Sequence, residues 1–315
     1  VHAVTVIGCV QVDLVLTPVD ALPPAGASAF VDEMSLRVGG AGANTALALA
    51  EVGVAPRLVG AVGDDHFGRW ILDRLGEFDL ADDIYVDPAQ PTGLTVAAEA
   101  PHRERAFLTY LGVTGTAGET IVPPESLAAE HVLLCDYFCS PSLRGEPTRR
   151  LLAAARERGA RTYFDTAWDP EGFPQAARAE LDSILPLVDV FLPNEAEACA
   201  LAGVDAVPRA GRALQRRSGG WVVIKLGAEG CIAFGPGGGR LTSPAPVVEP
   251  RDTTGAGDAF NAGLLAALAS GRDWSDALAA ATGLASSLVA RPSNHRHAAA
   301  SPAALGAEFG KEAAE

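Results

Sequence analysis

The stretch RDTTGAGDAF, residues 251–260, sets two carboxylates, Asp252 and Asp258, around a pair of threonines and a Gly-Ala-Gly turn, with an alanine-rich run behind it. Small residues at a helix start leave backbone N–H groups, here those of Gly255, Ala256 and Gly257, pointing outward, and the helix dipole adds to their attraction for an anion. Asp258 falls in the first turn beside that hole, as a reacting carboxylate would. The plainer reading is a capped helix, in which Thr254 or Asp258 satisfies the orphan donors. The ten residues alone leave both readings open.

A second cluster, VGGAGANTALALAEVG at 38–53, puts Gly39, Gly40 and Gly42 ahead of a helix whose first turn carries Asn44. Backbone and an amide can there approach a polyhydroxyl ligand, or the glycines can serve only a tight turn. Asp13 follows the first strand, at the end where open α/β sheets bind ligands. In LPNEAEA, Asn194 and Glu197 have the spacing of a capping box, and Glu197 is equally able to reach a hydrated Mg²⁺. No GxxxxGK[ST] loop occurs, and no GxGxxG follows the first strand. The usual P-loop and dinucleotide cradles are therefore missing.

The elements that must position these residues follow from periodicity. VTVIGCVQVDLVL opens the chain as a buried strand. Residues 28–38, 93–100 and 105–113 read as a small, partly exposed sheet. From residue 131 a regular beat begins: HVLLCDYF, a helix over about 146–158, RTYFD, a helical stretch to about 185, VDVFL, and helices over about 195–218. That spacing predicts βαβ units and a parallel sheet. WVVIKLG, CIAFG and RLTSPAPVVE follow as strands, and helices over Ala256–Ser270 and Trp274–Val289 close the core. The Ala-rich tail after residue 298 reads as a surface helix or a frayed end.

Composition narrows the function. Of 315 residues, 48% are hydrophobic but only 6% aromatic, which suits layered helices and strands. A formal net charge of −15 disfavours nucleic acid and anionic membranes as partners. The five cysteines, Cys9, Cys135, Cys139, Cys199 and Cys231, form no CxxC pair, and reduced, packed thiols are expected. Cys135 and Cys139 fall in one predicted strand, roughly 13 Å apart, too far for a mutual disulfide. With no basic segment before the first apolar stretch and no run of about 18 uncharged apolar residues, a cytoplasmic protein is expected.

Three motifs in order, GGAGANTALALAEVG with GAVGDDHFG behind it, VDVFLPNEAEA, and DTTGAGDAFNAG, resemble those of the ribokinase-like (pfkB) carbohydrate kinases, from Val4 to about Arg291. The resemblance implies a doubly wound α/β fold, its mostly parallel central sheet flanked by helices. It implies one domain over 1–315 with a small β-sheet lid from segments at about 14–38 and 92–113. It implies an ATP-dependent sugar kinase with Asp258 as general base and Gly255, Ala256 and Gly257 as anion hole. By the same resemblance Asp13, Gly40 and Asn44 bind sugar, and Asn194, Lys225, Gly227 and Gly230 line the nucleotide site. Glu197 holds Mg²⁺ through water, while Asp252 and Thr254 hold a monovalent cation, K⁺. A homodimer through the lid is implied as well.

Some positions depart from the pattern. Cys139 stands where ribokinase proper carries an acidic sugar ligand, and FDTAWDPEGF lacks the Asn and Arg found in many ketodeoxygluconate kinases. VARPSNHRH replaces the glycine-containing stretch that completes the cation site, leaving backbone carbonyls to serve. A nucleoside kinase of the same family is the rival reading, with Phe107, Tyr110, Tyr137, Phe138 and Trp168 as candidate base-contacting aromatics. A sugar-binding regulator without catalysis is the second rival, against which the intact Asp258 speaks.

Overall fold

The β-branched run that opens the chain breaks at Gly8 in the computed structural model, which describes residues 2–19, 21, 23–100 and 103–291. Strand β1 (Val4–Ile7) belongs to one sheet and β2 (Gln11–Thr17) to another. The expected single strand is thus two, and the change of sheet is invisible in the sequence because valines on both sides are buried. Next come β3 (Glu33–Gly39), α1 (Ala41–Glu51), β4 (Arg57–Gly63), α2 (His66–Gly76), β5 (Ile84–Asp87), β6 (Leu94–Ala100), β7 (Arg103–Tyr110), β8 (His131–Leu134) and α3 (Glu146–Glu157). The second half runs β9 (Arg161–Phe164), α4 (Gln175–Ile184), β10 (Val190–Phe191), α5 (Glu195–Ala202), α6 (Val207–Ser218), β11 (Trp221–Lys225), β12 (Cys231–Phe234), β13 (Arg240–Ser243), α7 (Ala256–Ala269) and α8 (Trp274–Val289).

Among the described residues the larger sheet has nine strands in the order β13-β12-β11-β10-β9-β8-β1-β4-β5. It is parallel from β11 to β5, and β12 and β13 add to its edge antiparallel. Its strands alternate between two apolar cores. Val4 and Val6 of β1 face a core with α1, α2, α7 and α8, whereas Ile7 faces one built with α3 to α6. Helices on both faces of a mostly parallel sheet make a doubly wound α/β fold. The chain leaves β1 toward β4 on one side and later returns to β8 on the other, so the order reverses between β1 and β8. Open sheets present their ligand crevice at the C-terminal ends of the strands at such a point.

The smaller sheet, ordered β3-β2-β6-β7, is built from two early segments. Its register sets Arg37, Asp13, Thr95 and Thr109 directly across from one another, strand to strand. Directly opposed residues share a face, so one face carries a polar row. The other carries Leu36, Leu14, Val96 and Leu108 in the adjacent row.

Two further predicted strands are shorter than expected. RLTSPAPVVE pairs only over Arg240–Ser243, because Pro244 and Pro246 have no N–H for a ladder. HVLLCDYF leaves the sheet after Leu134: Asp136 takes a left-handed φ of 59° and Tyr137–Cys139 form a 3-10 turn. Cys139 therefore does not lie in a strand with Cys135, yet all five cysteines are free thiols. The helical stretch before residue 185 is limited to Gln175–Ile184, after a loop in which Ala167 and Phe173 have positive φ. The tail after residue 298 and most of VARPSNHRH lie outside the described residues.

Candidate active site

The site forms where the N-termini of α1 and α7 converge on the switch between β1 and β8. At α1, Gly40 adopts φ 89° against the Cys9 carbonyl, a conformation and a closeness that a Cβ would forbid. That packing aims Asn44 at α7, where its Nδ2 donates to Asp258 Oδ2 at 3.0 Å. The two glycine motifs, more than two hundred residues apart in the chain, thus meet through this bond. Gly255 takes φ 71° as the N-cap of α7 and, as a glycine, brings no side chain to cap it. Thr254 precedes that position and Asp258 follows it in the first turn. The Ala256 N–H makes a turn bond to the Thr253 carbonyl at 3.2 Å.

Asp13 faces the same crevice from the small sheet. Gln11 Nε2 donates to Asp13 Oδ1 at 3.3 Å and to Thr95 Oγ1 at 2.7 Å, and Thr95 meets Thr109 at 2.9 Å. Burial pushes the Asp13 carboxyl up to about 6; the Gln11 bond and Arg37 oppose this, and the charges of Asp258 and Asp252 add to it. Asp252 is buried, its Oδ1 accepting the Thr254 N–H at 2.9 Å and its Oδ2 paired with Arg37 at 2.8 Å.

Beneath the α7 turn lies a buried polar network. Lys225 Nζ and Asn261 Nδ2 both donate to Asp165 Oδ2 at 2.7 Å. A side chain added at Gly257 would meet the Lys225 ammonium at 3.6 Å, so that charge sits under the turn. Burial pushes the Asp165 carboxyl up, but the Lys225 charge and the hydrogen bonds of Lys225 and Asn261 outweigh it and hold it below the usual range. Asn194 and Glu197 make the capping box of α5, and both Glu197 oxygens are engaged by Asn194, at 2.8 and 2.7 Å. Burial, then the Asp165 charge, pushes Glu197 up to about 7. Among the described residues no group of three His, Cys, Asp or Glu side chains is arranged to hold a metal ion. A metal here would be carried mainly by ligand oxygens and water, as Mg²⁺ accepts readily.

A cavity of about 410 Å³ opens beside the turn, with Ala256 and Gly257 at one end and Lys225, Gly227 and Gly230 along it. Its other walls are mostly apolar, from residues such as Pro246, Val247, Val248, Phe260 and Val289, with Thr253, Thr282 and Ser286 among them. Asn194 does not line it. Of the aromatic candidates, Tyr137 and Phe138 are buried in the core, while Phe107, Tyr110 and Trp168 are exposed. Cys139 lies within range of the Asp136, Asp165 and Glu197 charges, and burial and those charges push its thiol up to about 12.

Sequence reasoning missed Arg37, Asp136, Asp165 and Asn261. Asp136 is buried and its Oδ2 accepts the N–H groups of Cys9 and Gly42 at 3.0 and 3.2 Å, locking α1 onto the end of β1. Burial, then the Asp258 charge, pushes it up to about 7. Asp136 and Asp165 had a legible signal, a lone carboxylate at the C-terminal end of an apolar strand. Arg37 had none, since its partner Asp252 lies 215 residues further along the chain.

Over residues 1–297 the chain matches the family described as pfkB family carbohydrate kinase. A fructokinase of Klebsiella pneumoniae is 32% identical over 238 residues, 73% of this chain and 76% of that protein. A 2-dehydro-3-deoxygluconokinase of Thermoproteus tenax is 32% identical over 266 residues, 82% of this chain and 81% of that protein. Among solved structures, Arabidopsis thaliana ribokinase complexed with ribose and ATP superposes with a TM-score of 0.77 at 24% identity, covering 91% of this chain and 92% of that one.

Proposed function

The chain belongs to the pfkB family carbohydrate kinases, and from that premise we propose that it transfers the γ-phosphoryl group of ATP to a hydroxymethyl group of a small carbohydrate. The observation that carries the reading is the Asn44–Asp258 bond. It ties a carboxylate near the polar row of the small sheet to the glycine-capped α7 turn, and that turn borders the apolar cavity. Sugar would lie against Asp13, Gly40 and Asn44, with the small sheet as its lid, formed by the segments at about 14–38 and 92–113. The adenine end of ATP would fill the cavity, which is of the size and polarity that nucleotide sites share, beside Gly227 and Gly230.

In the reaction the sugar hydroxyl oxygen bonds to the γ-phosphorus, the bond to the β–γ bridging oxygen breaks, and the hydroxyl proton passes to Asp258. An ionised aspartate suffices, because a loose transition state asks for alignment and charge neutralisation rather than a strong base. Gly255, Ala256 and Gly257 would hold the equatorial oxygens through backbone N–H groups and the α7 dipole. Lys225 beneath Gly257 adds positive charge on the same side. Mg²⁺, when bound with ATP, supplies neutralisation of the phosphate charge. Glu197, its oxygens engaged by Asn194, would reach the ion through water, with Asn194 as the residue that orients it.

The test is ADP release with a panel of pentoses, hexoses, keto sugars, sugar acids and nucleosides. Turnover with one carbohydrate is the expected result. Turnover with nucleosides alone would replace the sugar reading by a nucleoside kinase, and stoichiometric sugar binding without ADP release from any acceptor would support a regulator.

A further inference from the structure

The proposed reaction leaves Arg37 without a task. Arg37 stands across from Asp13 in the small sheet and reaches over to Asp252 Oδ2 at 2.8 Å. The Asp252 side chain is fully buried and that of Arg37 is 12% exposed. The second Asp252 oxygen is taken by the Thr254 N–H. Nε and Nη2 of Arg37 are buried without a hydrogen-bond partner. The side chain is thus held by charge, between two carboxylates, rather than by a completed set of hydrogen bonds.

This is the place where the resemblance implies K⁺ on Asp252 and Thr254, and among the described residues its carboxylate, Asp252, is already paired with Arg37. A cation on Asp252 would stand beside a guanidinium on the same carboxylate. Like charges held on one carboxylate in a partly buried site repel strongly, and the guanidinium is always charged and permanently attached. A buried, ionised Asp252 just ahead of the Gly255 turn would by itself oppose an anion there. Some positive charge has to offset it.

We propose that Arg37 is the resident counter-charge of Asp252, in the place of a monovalent cation, so that nucleotide binding and phosphoryl transfer by this chain do not depend on K⁺. The inference rests on reading Gly255–Gly257 as the anion hole. Arg37 also ties the strand opposite Asp13 to that turn, so the same ion pair couples the sugar side of the site to the phosphate side.

The test is calorimetric titration of the full chain with Mg²⁺ and the non-hydrolysable ATP analogue AMPPNP, in KCl and in choline chloride at equal ionic strength. The wild-type dissociation constants should agree within about twofold. Arg37→Met should bind about tenfold more weakly in choline chloride and recover part of that loss in KCl, while Arg37→Lys should stay indifferent to the salt. A wild-type affinity about tenfold higher in KCl than in choline chloride would overturn the inference and leave the kinase reading standing. A folded Arg37→Met equal to the wild type in both salts would also overturn it. Binding in neither salt would overturn it together with the assignment of the nucleotide site. Should Arg37→Met fail to fold, the wild-type comparison still decides.

Discussion

Asp258 stands at the third helical position of α7 and accepts a hydrogen bond from the Asn44 amide. Asp258→Asn keeps the shape of the side chain and removes the proton acceptor, so kcat should fall by on the order of 10²–10⁴ with KM for ATP and sugar little changed. Single-turnover phosphoryl transfer and thermal melting on the same variant check this; a folded Asp258→Asn enzyme with native kcat would defeat the proposed base. Asp13→Ala should weaken sugar binding by roughly 1.5–3 kcal/mol and leave ATP binding nearly intact, as calorimetry with each ligand would measure. The buried carboxyls also set a pH dependence. Asp13 rises from 3.8 to about 6, Asp136 from 3.8 to about 7 and Glu197 from 4.5 to about 7, burial being the largest cause in each. Folded pKa values above the unfolded ones mean that the native state holds more protons, so this stability is complete below the unfolded pKa and is lost as pH rises through the folded one. The ligand-free Tm should therefore fall between about pH 4 and about pH 7. Asp136→Asn retains an oxygen to accept the Cys9 and Gly42 N–H groups but cannot ionise, so its melting curve series should be flatter. An unchanged slope would mean that Asp136 does not contribute to it.

At the scale of elements, the site is held by ties between strand ends and helix starts, among them the buried Asp165–Lys225 pair. It joins the ends of β9 and β11 and, through Asn261, α7. Lys225→Met would strand a buried carboxylate, and breaking one partner of such a pair costs about 3–5 kcal/mol. The double variant Asp165→Asn/Lys225→Met should recover much of that loss in urea unfolding, and equal instability of single and double variants would show that Lys225 contributes by packing alone. Elements of this kind were legible in the sequence to the degree that one local pattern dominates them. The helix expected at roughly Trp274–Val289 spans those residues, with Asp273 as its N-cap, and the beat of strands from residue 131 matches the parallel sheet. The break at Gly8 was not legible, since valines continue across it; nor was the exit from β8, where Asp136 turns left-handed without a glycine to signal it. The same limit governs the site. Asp258, Asn44 and Lys225 announce themselves by local motif, whereas Arg37 acquires meaning only when register sets it beside Asp13 and reach brings it to Asp252.

At the scale of the whole molecule, the small sheet leaves an apolar surface uncovered among the described residues. Opposite its polar row, the small sheet carries Leu14, Leu16, Met34, Val96 and Leu108, with Met34 and Leu108 at 69% and 57% exposure, and Phe30, ahead of β3 in the chain, is 96% exposed. Apolar surface gathered in this way usually marks an interface, and a second copy of the same sheet is the self-complementary partner expected of a twofold dimer. Magnitudes bound how tight such a dimer is. Four strands about 4.8 Å apart and about 23 Å long project roughly 440 Å², less than the roughly 800 Å² per partner of a standard interface, so the association should be concentration-dependent rather than permanent. Charge works in the same direction: each chain carries −15, and two copies repel until salt screens them over a Debye length of about 10 Å at about 0.1 M. Sedimentation equilibrium should therefore find a monomer–dimer equilibrium that shifts toward dimer as salt is raised, the reverse of an interface held by ion pairs. Leu108→Lys should hold the chain monomeric at every salt concentration while its Tm stays within a few degrees of the wild type, because the substituted side chain lies outside both apolar cores. A wild type that sediments as a monomer throughout, or a Leu108→Lys chain that still dimerises, would remove this sheet face from the assembly.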